Sequence, residues 1–298
     1  MLTRRLIATS AAGTILAASV LAFGQTRTTP GVETGHALVN GINLYYEIYG
    51  RGEPLILLHG GLGATEMFGE VVPLLAKTRR VIAIDLQAHG RTADIDRPMS
   101  FEAMADDIAA LIKHLGIEKA DAMGYSLGGG VALRVAVQHP EAVRKLVLVS
   151  IAYKRDGWYP EILAGMAQVG AASAEPMKQT PMYQMYARIA PKPADWPVLL
   201  TKIGDLLRKD YDWSKDVSRI KAPTLLLFGD ADAVPPAHAV QFFELFGGGK
   251  KDGGWDGSGM SNSRLAILPG LTHYTIFSSP MLASTVTPFL EAPMPGNM

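Results

Sequence analysis

The chain of 298 residues contains no cysteine. This absence excludes disulfide bonds, a thiol nucleophile and metal sites built from thiolates. The chain also lacks a surplus of either charge, because 28 Lys and Arg residues are balanced by 28 Asp and Glu residues. Neither a basic surface for nucleic acid nor an acidic tail is indicated, so we expect no nucleic-acid partner.

The sequence also lacks apolar segments long enough to cross a membrane, except at the N-terminus. There, two arginines precede an uncharged stretch from Leu6 to Phe23, and small residues follow. This layout predicts an export signal over residues 1–24, cleaved after Gly24 or after Ala22, and an uncleaved membrane anchor is the alternative. After cleavage the chain would keep 26 basic and 28 acidic residues. We expect a periplasmic or secreted protein without stable membrane insertion, exported by either the Sec or the twin-arginine route.

Strand-like and helix-like segments alternate along the rest of the chain. The hairpin signal Asn40-Gly41 joins two predicted strands. Eight segments are predicted to contain one strand each. They are His36–Val39, Ile42–Tyr49 and the runs PLILLHGG, RRVIAIDL, KADAM, KLVLVS, APTLLLFGD and RLAILPG. The predicted helices are Thr65–Ala76, Phe101–Leu115 with Ser100 as its cap, Ser126–His139, Ala237–Phe246 and Ser279–Leu290. This alternation predicts an α/β fold, with a mostly parallel twisted sheet of about eight strands and helices on both faces.

One segment interrupts the alternation. Residues 151–218 contain no strand-like run, but they are rich in Trp, Tyr, Met and Pro. We predict that they form a helical cap inserted into a core made of residues 25–150 and 219–298, with an apolar pocket beneath the cap. The glycine-rich segment 247–263 is predicted to be a surface loop.

The sequence GYSLG places a serine between two glycines where a predicted strand meets a predicted helix. Gly124 and Gly128 permit a sharp turn that would expose the hydroxyl of Ser126 at the carboxyl edge of the sheet. A serine hydroxyl is a weak nucleophile and needs a base, which is in turn oriented by a carboxylate. Candidates follow the last two predicted strands, namely Asp232 or its neighbour Asp230 and then His273.

Taken together, these segments make the chain resemble the α/β-hydrolase superfamily, in particular its cap-bearing serine esterases and lactonases. The resemblance covers nearly the whole chain after residue 24. Its motifs are HGG at 59–61, DLQAHGRT at 85–92, GYSLG at 124–128, GDADAVPP at 229–236 and LPGLTH at 268–273. Two features depart from the family pattern: Gln87-Ala88 in the second motif and the length of the glycine-rich segment.

The resemblance implies a role for each matching residue. Ser126 would be the nucleophile, His273 the general base and Asp232 the acid, since Asp232 fits the family spacing better than Asp230. The backbone N–H groups of Leu127 and Gly61 would form the oxyanion hole, with Leu62 as the alternative to Gly61. The histidine of the HGG motif would brace the oxyanion loop rather than react.

The implied activity is hydrolysis of small or medium-chain carboxylic esters or lactones through an acyl-enzyme. We expect no cofactor and no metal, and the oligomeric state is open. A C–C bond hydrolase or a perhydrolase is an alternative, because the cap decides between these chemistries and its sequence does not resolve them. A non-catalytic ligand-binding homologue is the alternative from another class, although such proteins usually lose part of the triad and all three members are present here.

Overall fold

The structure is a computed structural model that describes residues 31–294. The predicted export signal, residues 1–24, lies outside the described residues, so both the signal and the cellular location stay predictions. Within the described range the chain forms one eight-stranded sheet. Its strands are β1 (Val32–Val39), β2 (Ile42–Tyr49), β3 (Glu53–Leu58), β4 (Arg79–Ile84), β5 (Ala120–Tyr125), β6 (Val143–Val149), β7 (Thr224–Ala231) and β8 (Arg264–Thr272).

The strands follow the order β1-β2-β4-β3-β5-β6-β7-β8. The hairpin β1–β2 turns through Asn40 and Gly41, which both have positive φ as a tight hairpin turn requires. Strand β2 is also antiparallel to β4, whereas every pairing from β4 to β8 is parallel. The predicted mostly parallel sheet of about eight strands is therefore confirmed.

Helices connect the strands and cover both faces of the sheet. Residues 31–294 contain the α-helices α1 (Val71–Leu75), α2 (Phe101–His114), α3 (Leu127–Gln138), α4 (Pro160–Ala167), α5 (Pro181–Ile189), α6 (Trp196–Arg208), α7 (Ser214–Val217), α8 (Pro236–Leu245) and α9 (Pro280–Glu291). The predicted helical segment Thr65–Ala76 is helical in two pieces, a 3₁₀ turn, Thr65–Phe68, and α1. The interruption lies at Gly69, which has a positive φ of 47°.

The two faces of the sheet have separate apolar cores. In β3, Ile56 and Leu58 pack on the side of α2, α3 and α8, whereas Leu55 and Leu57 pack on the side of α1 and α9. Successive side chains of a strand point to opposite faces, so a strand covered on both sides must be apolar throughout. This explains the continuous apolar runs of the sequence, and it leaves the strand ends as the place for polar groups.

Between β6 and β7 the chain leaves the sheet. Residues 151–218 form α4 to α7 and several 3₁₀ turns, and they contribute no strand to the sheet. Their assignment as a cap, and the core boundaries that go with it, stay predictions. Across residues 31–294, none of the helices has both the length and the apolar character needed to cross a membrane.

Candidate active site

Ser126 lies at the junction of β5 and α3 in a strained backbone conformation, with φ 51° and ψ −116°. Only glycine fits at the two flanking positions, because a larger residue would clash with the neighbouring backbone. A methyl group at Gly124 would lie 2.0 Å from the carbonyl oxygen of Gly128, and one at Gly128 would lie 2.4 Å from the carbonyl oxygen of Leu58. Strain of this kind persists only where the surrounding structure enforces it, and it is concentrated at functional sites. The turn therefore holds a hydroxyl group at the edge of the sheet.

His273 follows β8 and is close to Ser126. Its Nε2 atom lies 3.1 Å from Oγ of Ser126, and its Nδ1 atom lies 3.0 Å from Oδ1 of Asp232. The hydroxyl of Tyr125 donates a hydrogen bond of 2.7 Å to the backbone carbonyl of His273 and so ties the histidine loop to the end of β5. The structure thus brings together the three residues expected to form a triad.

Asp232 is buried and follows the end of β7. Its Oδ1 atom accepts a hydrogen bond from the amide of Ala233 at 2.7 Å, in addition to the contact with His273. Its Oδ2 atom accepts from the amide of Gly229 at 3.1 Å and from the hydroxyl of Ser150 at 2.5 Å. Burial by itself would raise the pKa of Asp232, but the hydrogen bonds and the charge of His273 outweigh it, so the pKa lies below its usual value.

The competing carboxylate, Asp230, is placed differently. It is exposed, and its Oδ1 atom accepts a hydrogen bond from the amide of Gly270 at 2.9 Å. Within residues 31–294 it makes no hydrogen bond with His273. Asp230 therefore connects two loops at the surface, while Asp232 contacts the imidazole.

The glycine loop after β3 lies against the serine turn. A methyl group at Gly60 would lie 3.5 Å from Cβ of Ser126, and one at Gly61 would lie 3.9 Å from Cβ of Leu127. Leu127 is the first residue of α3, so its N–H has no acceptor within the helix and lies at the positive end of the helix dipole. Gly61 and Leu127 are thus adjacent, as two oxyanion donors must be. Leu62, which has a positive φ of 59°, lies in the same loop and stays the alternative.

His59 is fully buried, and both of its ring nitrogens are engaged. Nδ1 donates to the carbonyl of Gly60 at 2.7 Å, and Nε2 accepts from the amide of Leu86 at 3.0 Å. Burial lowers the pKa of His59 to about 3, so the ring stays neutral. His59 thus connects the glycine loop to the loop after β4, and both of its ring nitrogens are engaged within residues 31–294. Its role as a brace of an oxyanion loop stays a prediction.

The loop after β4 keeps a tight shape in spite of its unusual sequence. Ala88 takes the left-handed conformation, with φ 63°, at the position where the family pattern has glycine. The buried Asp85 holds the loop together, since its two oxygens accept from the amides of Thr65 at 2.7 Å and Arg91 at 2.8 Å. Burial raises the pKa of Asp85 to about 6. The strain at Ala88 costs about 1 kcal/mol, which these hydrogen bonds can offset.

Apolar side chains from residues 151–218 reach the site. The ring of Trp158 lies edge-on to His273 with 5.5 Å between the ring centres. Cδ1 of Ile203 lies so close to Gly61 that a methyl group there would be 2.8 Å away. A groove of about 700 Å³ along α2 has none of Ser126, Asp232 and His273 among its lining residues, so it is separate from this site.

Two residues at the site have no motif in the sequence. Ser150 is only the last letter of KLVLVS, and its position at the carboxyl end of a strand is the one signal that could have drawn attention to it. Ile203 is one of many apolar residues of an amphipathic helix. Both are identified by contacts between segments that are distant in the sequence.

Comparison with known proteins gives a consistent result. A family model described as the alpha/beta hydrolase fold matches residues 53–177. The chain is 31% identical over 218 residues to the AB hydrolase superfamily protein YisY of Bacillus subtilis, covering 65% of this chain and 80% of that protein. It is 34% identical over 206 residues to a pimeloyl-(acyl-carrier protein) methyl ester esterase of Neisseria meningitidis serogroup B, covering 62% of this chain and 77% of that enzyme.

Solved structures with the same fold include E-2-(acetamidomethylene)succinate hydrolase. It superimposes with a TM-score of 0.69 and 20% sequence identity, over 88% of this chain and 100% of that chain. At this level of identity the likeness concerns the fold alone.

Proposed function

Because the chain belongs to the α/β-hydrolase superfamily, we propose that it is a serine hydrolase that cleaves small or medium-chain carboxylic esters or lactones. The observation that carries this proposal is the continuous series of contacts from Asp232 through His273 to Ser126, at 3.0 and 3.1 Å. Distances of this kind permit proton transfer between the side chains. The coarser statement, that the chain is a hydrolase with esterase-like relatives, rests on the family itself.

The first half of the reaction is acylation. Nδ1–H of His273 donates to Asp232, which fixes the tautomer that leaves a lone pair on Nε2. Nε2 takes the proton of Ser126 while Oγ attacks the ester carbonyl. The oxyanion that forms would be held by the N–H groups of Leu127 and of Gly61 or Leu62. Loss of one such donor lowers turnover by about 100- to 1000-fold, so this contribution rivals that of the proton transfer.

Acylation ends when this tetrahedral intermediate collapses: the C–O bond of the ester breaks and His273 gives its proton to the leaving alcohol, or to the ring-opened hydroxyl of a lactone, which leaves the acyl-enzyme. The second half is deacylation. Water then enters, His273 removes a proton from it, and the hydroxide attacks the acyl-enzyme carbonyl. Collapse of the second tetrahedral intermediate releases the carboxylic acid and returns the proton to Ser126. The same five groups therefore serve both halves.

The walls of the site support this substrate class. Trp158 and Ile203 are apolar, and they contact His273 and the Gly61 loop. Apolar walls favour an uncharged acyl chain near the carbonyl, with the polar groups of the site used to orient the ester. The relative from Neisseria is named as a methyl ester esterase, which supports an ester rather than an amide.

We also propose that residues 151–218 are the cap over this site and that the protein is exported through the segment 1–24. Mass spectrometry of the N-terminus from a periplasmic fraction tests the export. A mature chain beginning after residue 22 or 24 would support it, and an intact Met1 in the cytoplasm would contradict it.

A fluorophosphonate probe tests the function directly. It should label the wild-type protein at Ser126, and hydrolysis of p-nitrophenyl acetate or butyrate should be lost in the variant Ser126→Ala. The variant Ser284→Ala, in an exposed position of α9, is the matched control and should keep both properties. A folded wild-type sample without labelling would favour a ligand receptor. A labelled protein that cleaves no ester or lactone in a panel of graded acyl length would favour the C–C or peracid chemistry.

A further inference from the structure

Ser150 is a buried residue at the end of β6, and two features set it apart. It has no exposed surface, and its backbone is in the left-handed region with φ 52°. Serine is strained in this conformation, which glycine or asparagine would tolerate better. An enforced outlier of this kind next to the triad calls for a reason.

The side chain of Ser150 supplies that reason. Its hydroxyl donates a hydrogen bond of 2.5 Å to Oδ2 of Asp232. The amide of Ser150 donates to the carbonyl of Leu227 in β7 at 2.8 Å, so the residue is fixed to the strand that carries Asp232. The strained turn therefore directs the hydroxyl toward the carboxylate instead of letting the chain continue along the sheet.

The two oxygens of Asp232 have separate partners. Oδ1 faces His273 and accepts the amide of Ala233, whereas Oδ2 is held by Ser150 and by the amide of Gly229. Contacts on both oxygens prevent rotation of the carboxylate plane, which a contact on one oxygen alone would allow. A hydrogen bond to an ionised group in a buried place is also stronger than one between neutral groups.

We propose that Ser150 is a positioning residue for the reaction: its hydroxyl holds the Asp232 carboxylate in the orientation that pairs with His273. The inference rests on the proposed function and adds a fourth polar side chain to the site. Ser150 acts only through Asp232 and does not contact the reacting atoms.

Two variants separate the hydroxyl from the backbone strain. Ser150→Ala and Ser150→Gly both remove the hydroxyl, but only glycine relieves the positive φ. We expect both to lower kcat roughly tenfold with KM within about twofold, because the change affects the orientation of the triad and not substrate binding. The glycine variant should unfold at a higher temperature than the alanine variant. Ser263→Ala, at another buried serine whose hydroxyl bonds a backbone carbonyl, is the control and should keep the wild-type kcat and KM.

A folded Ser150→Gly protein with the wild-type kcat would overturn the inference, and this variant decides the matter if the alanine variant does not fold. The NMR signal of the Nδ1 proton of His273, which reports its hydrogen bond to Asp232, gives a readout in the wild type and both variants that needs no substrate. If the wild type hydrolyses nothing but this signal changes in the variants, the proposed function fails and the Ser150 contact stands. If the wild type is active and neither kcat nor the signal changes in the variants, only the inference fails.

Discussion

The Nε2 atom of His273 lies 3.1 Å from Oγ of Ser126, although 147 positions separate the two residues in the sequence. The sheet produces this proximity. Strands β5, β6, β7 and β8 are consecutive neighbours and parallel, so their carboxyl ends lie along one edge. Each delivers one polar side chain there, in the order Ser126, Ser150, Asp232 and His273. Ser150 and Asp232, which follow the two central strands, thereby hold His273 against Ser126.

The assignment of the acid makes the first prediction. Asp232→Asn should lower kcat by about 1000- to 10,000-fold, because a neutral amide neither stabilises the imidazolium nor holds the correct tautomer, as in other serine hydrolases. Asp230→Asn is the matched control two positions away. It should stay within about twofold of wild type, since Asp230 is exposed and, in the described part of the chain, its side chain accepts a hydrogen bond from the amide of Gly270 and none from His273. Steady-state kinetics with p-nitrophenyl butyrate measure both. A larger loss in the Asp230 variant would reverse the assignment.

The second prediction concerns the contact between the glycine loop after β3 and α6. A methyl group at Gly61 would lie 2.8 Å from Cδ1 of Ile203 and would have to push either this side chain or the loop aside. Gly61→Ala should therefore lower kcat/KM about tenfold. The double variant Gly61→Ala with Ile203→Ala should recover most of that loss, because the clash is with the end of a side chain. If the loss in the double variant equals the sum of the losses in the two single variants, expressed as free energies, Ile203 does not press on this loop.

The parts of the fold that the sequence predicts are those with a local physical cause. The serine turn is one, because only glycine fits at positions 124 and 128 against the backbone of neighbouring segments. Continuous apolar runs predict the central strands, since both faces of the sheet are covered. The hairpin at Asn40 is also predicted from the sequence, because its turn needs residues that accept positive φ.

What the sequence does not predict depends on contacts between distant segments. Ser150 resembles any serine at the end of a strand until the fold places Asp232 beside it. Ala88 adopts a left-handed conformation that alanine disfavours, in a loop that Asp85 holds by accepting a hydrogen bond from the amide of Arg91. The helical segment predicted from Thr65 is interrupted for a local reason instead, because Gly69 adopts a positive φ that the apolar pattern does not reveal.

Lys202 gives the third prediction, which concerns how residues 151–218 are fixed to the rest of the chain. Its ammonium group on α6 contacts Oδ2 of Asp94 at 2.6 Å and the carbonyls of Ile95 at 2.7 Å and Arg97 at 2.8 Å. Lys202→Met keeps the apolar stem but removes all three contacts, so the free energy of unfolding should fall by about 1.5–3 kcal/mol.

Urea unfolding followed by circular dichroism measures this change. Lys209→Met, at an exposed position just after the end of α6, is the control and should change the free energy of unfolding by less than about 0.5 kcal/mol. Equal effects of the two substitutions would mean that the three contacts of Lys202 add nothing to the attachment.

A buried histidine outside the site gives the last prediction. His238 stacks on Tyr153 with 4.3 Å between the ring centres, and its Nε2 atom is buried without a hydrogen-bond partner in the described part of the chain. Burial lowers the pKa of His238 to about 4, whereas the unfolded chain takes up this proton near the ordinary value of 6.5. The stability from the neutral ring is thus complete above about pH 6.5 and is lost as the pH falls toward 4.

The variant His238→Phe removes this titration and keeps an aromatic ring against Tyr153. Its free energy of unfolding should therefore fall less between pH 7 and pH 4.5 than that of the wild type, although His59 and His89, whose pKa values burial also lowers, still contribute an acid-sensitive part. The same substitution at the exposed His114 should leave the pH dependence unchanged. Urea titrations at a series of pH values compare the three proteins. Parallel curves for wild type and His238→Phe would mean that His238 is protonated in the folded state as readily as in the unfolded chain, and that burial does not hold its ring neutral.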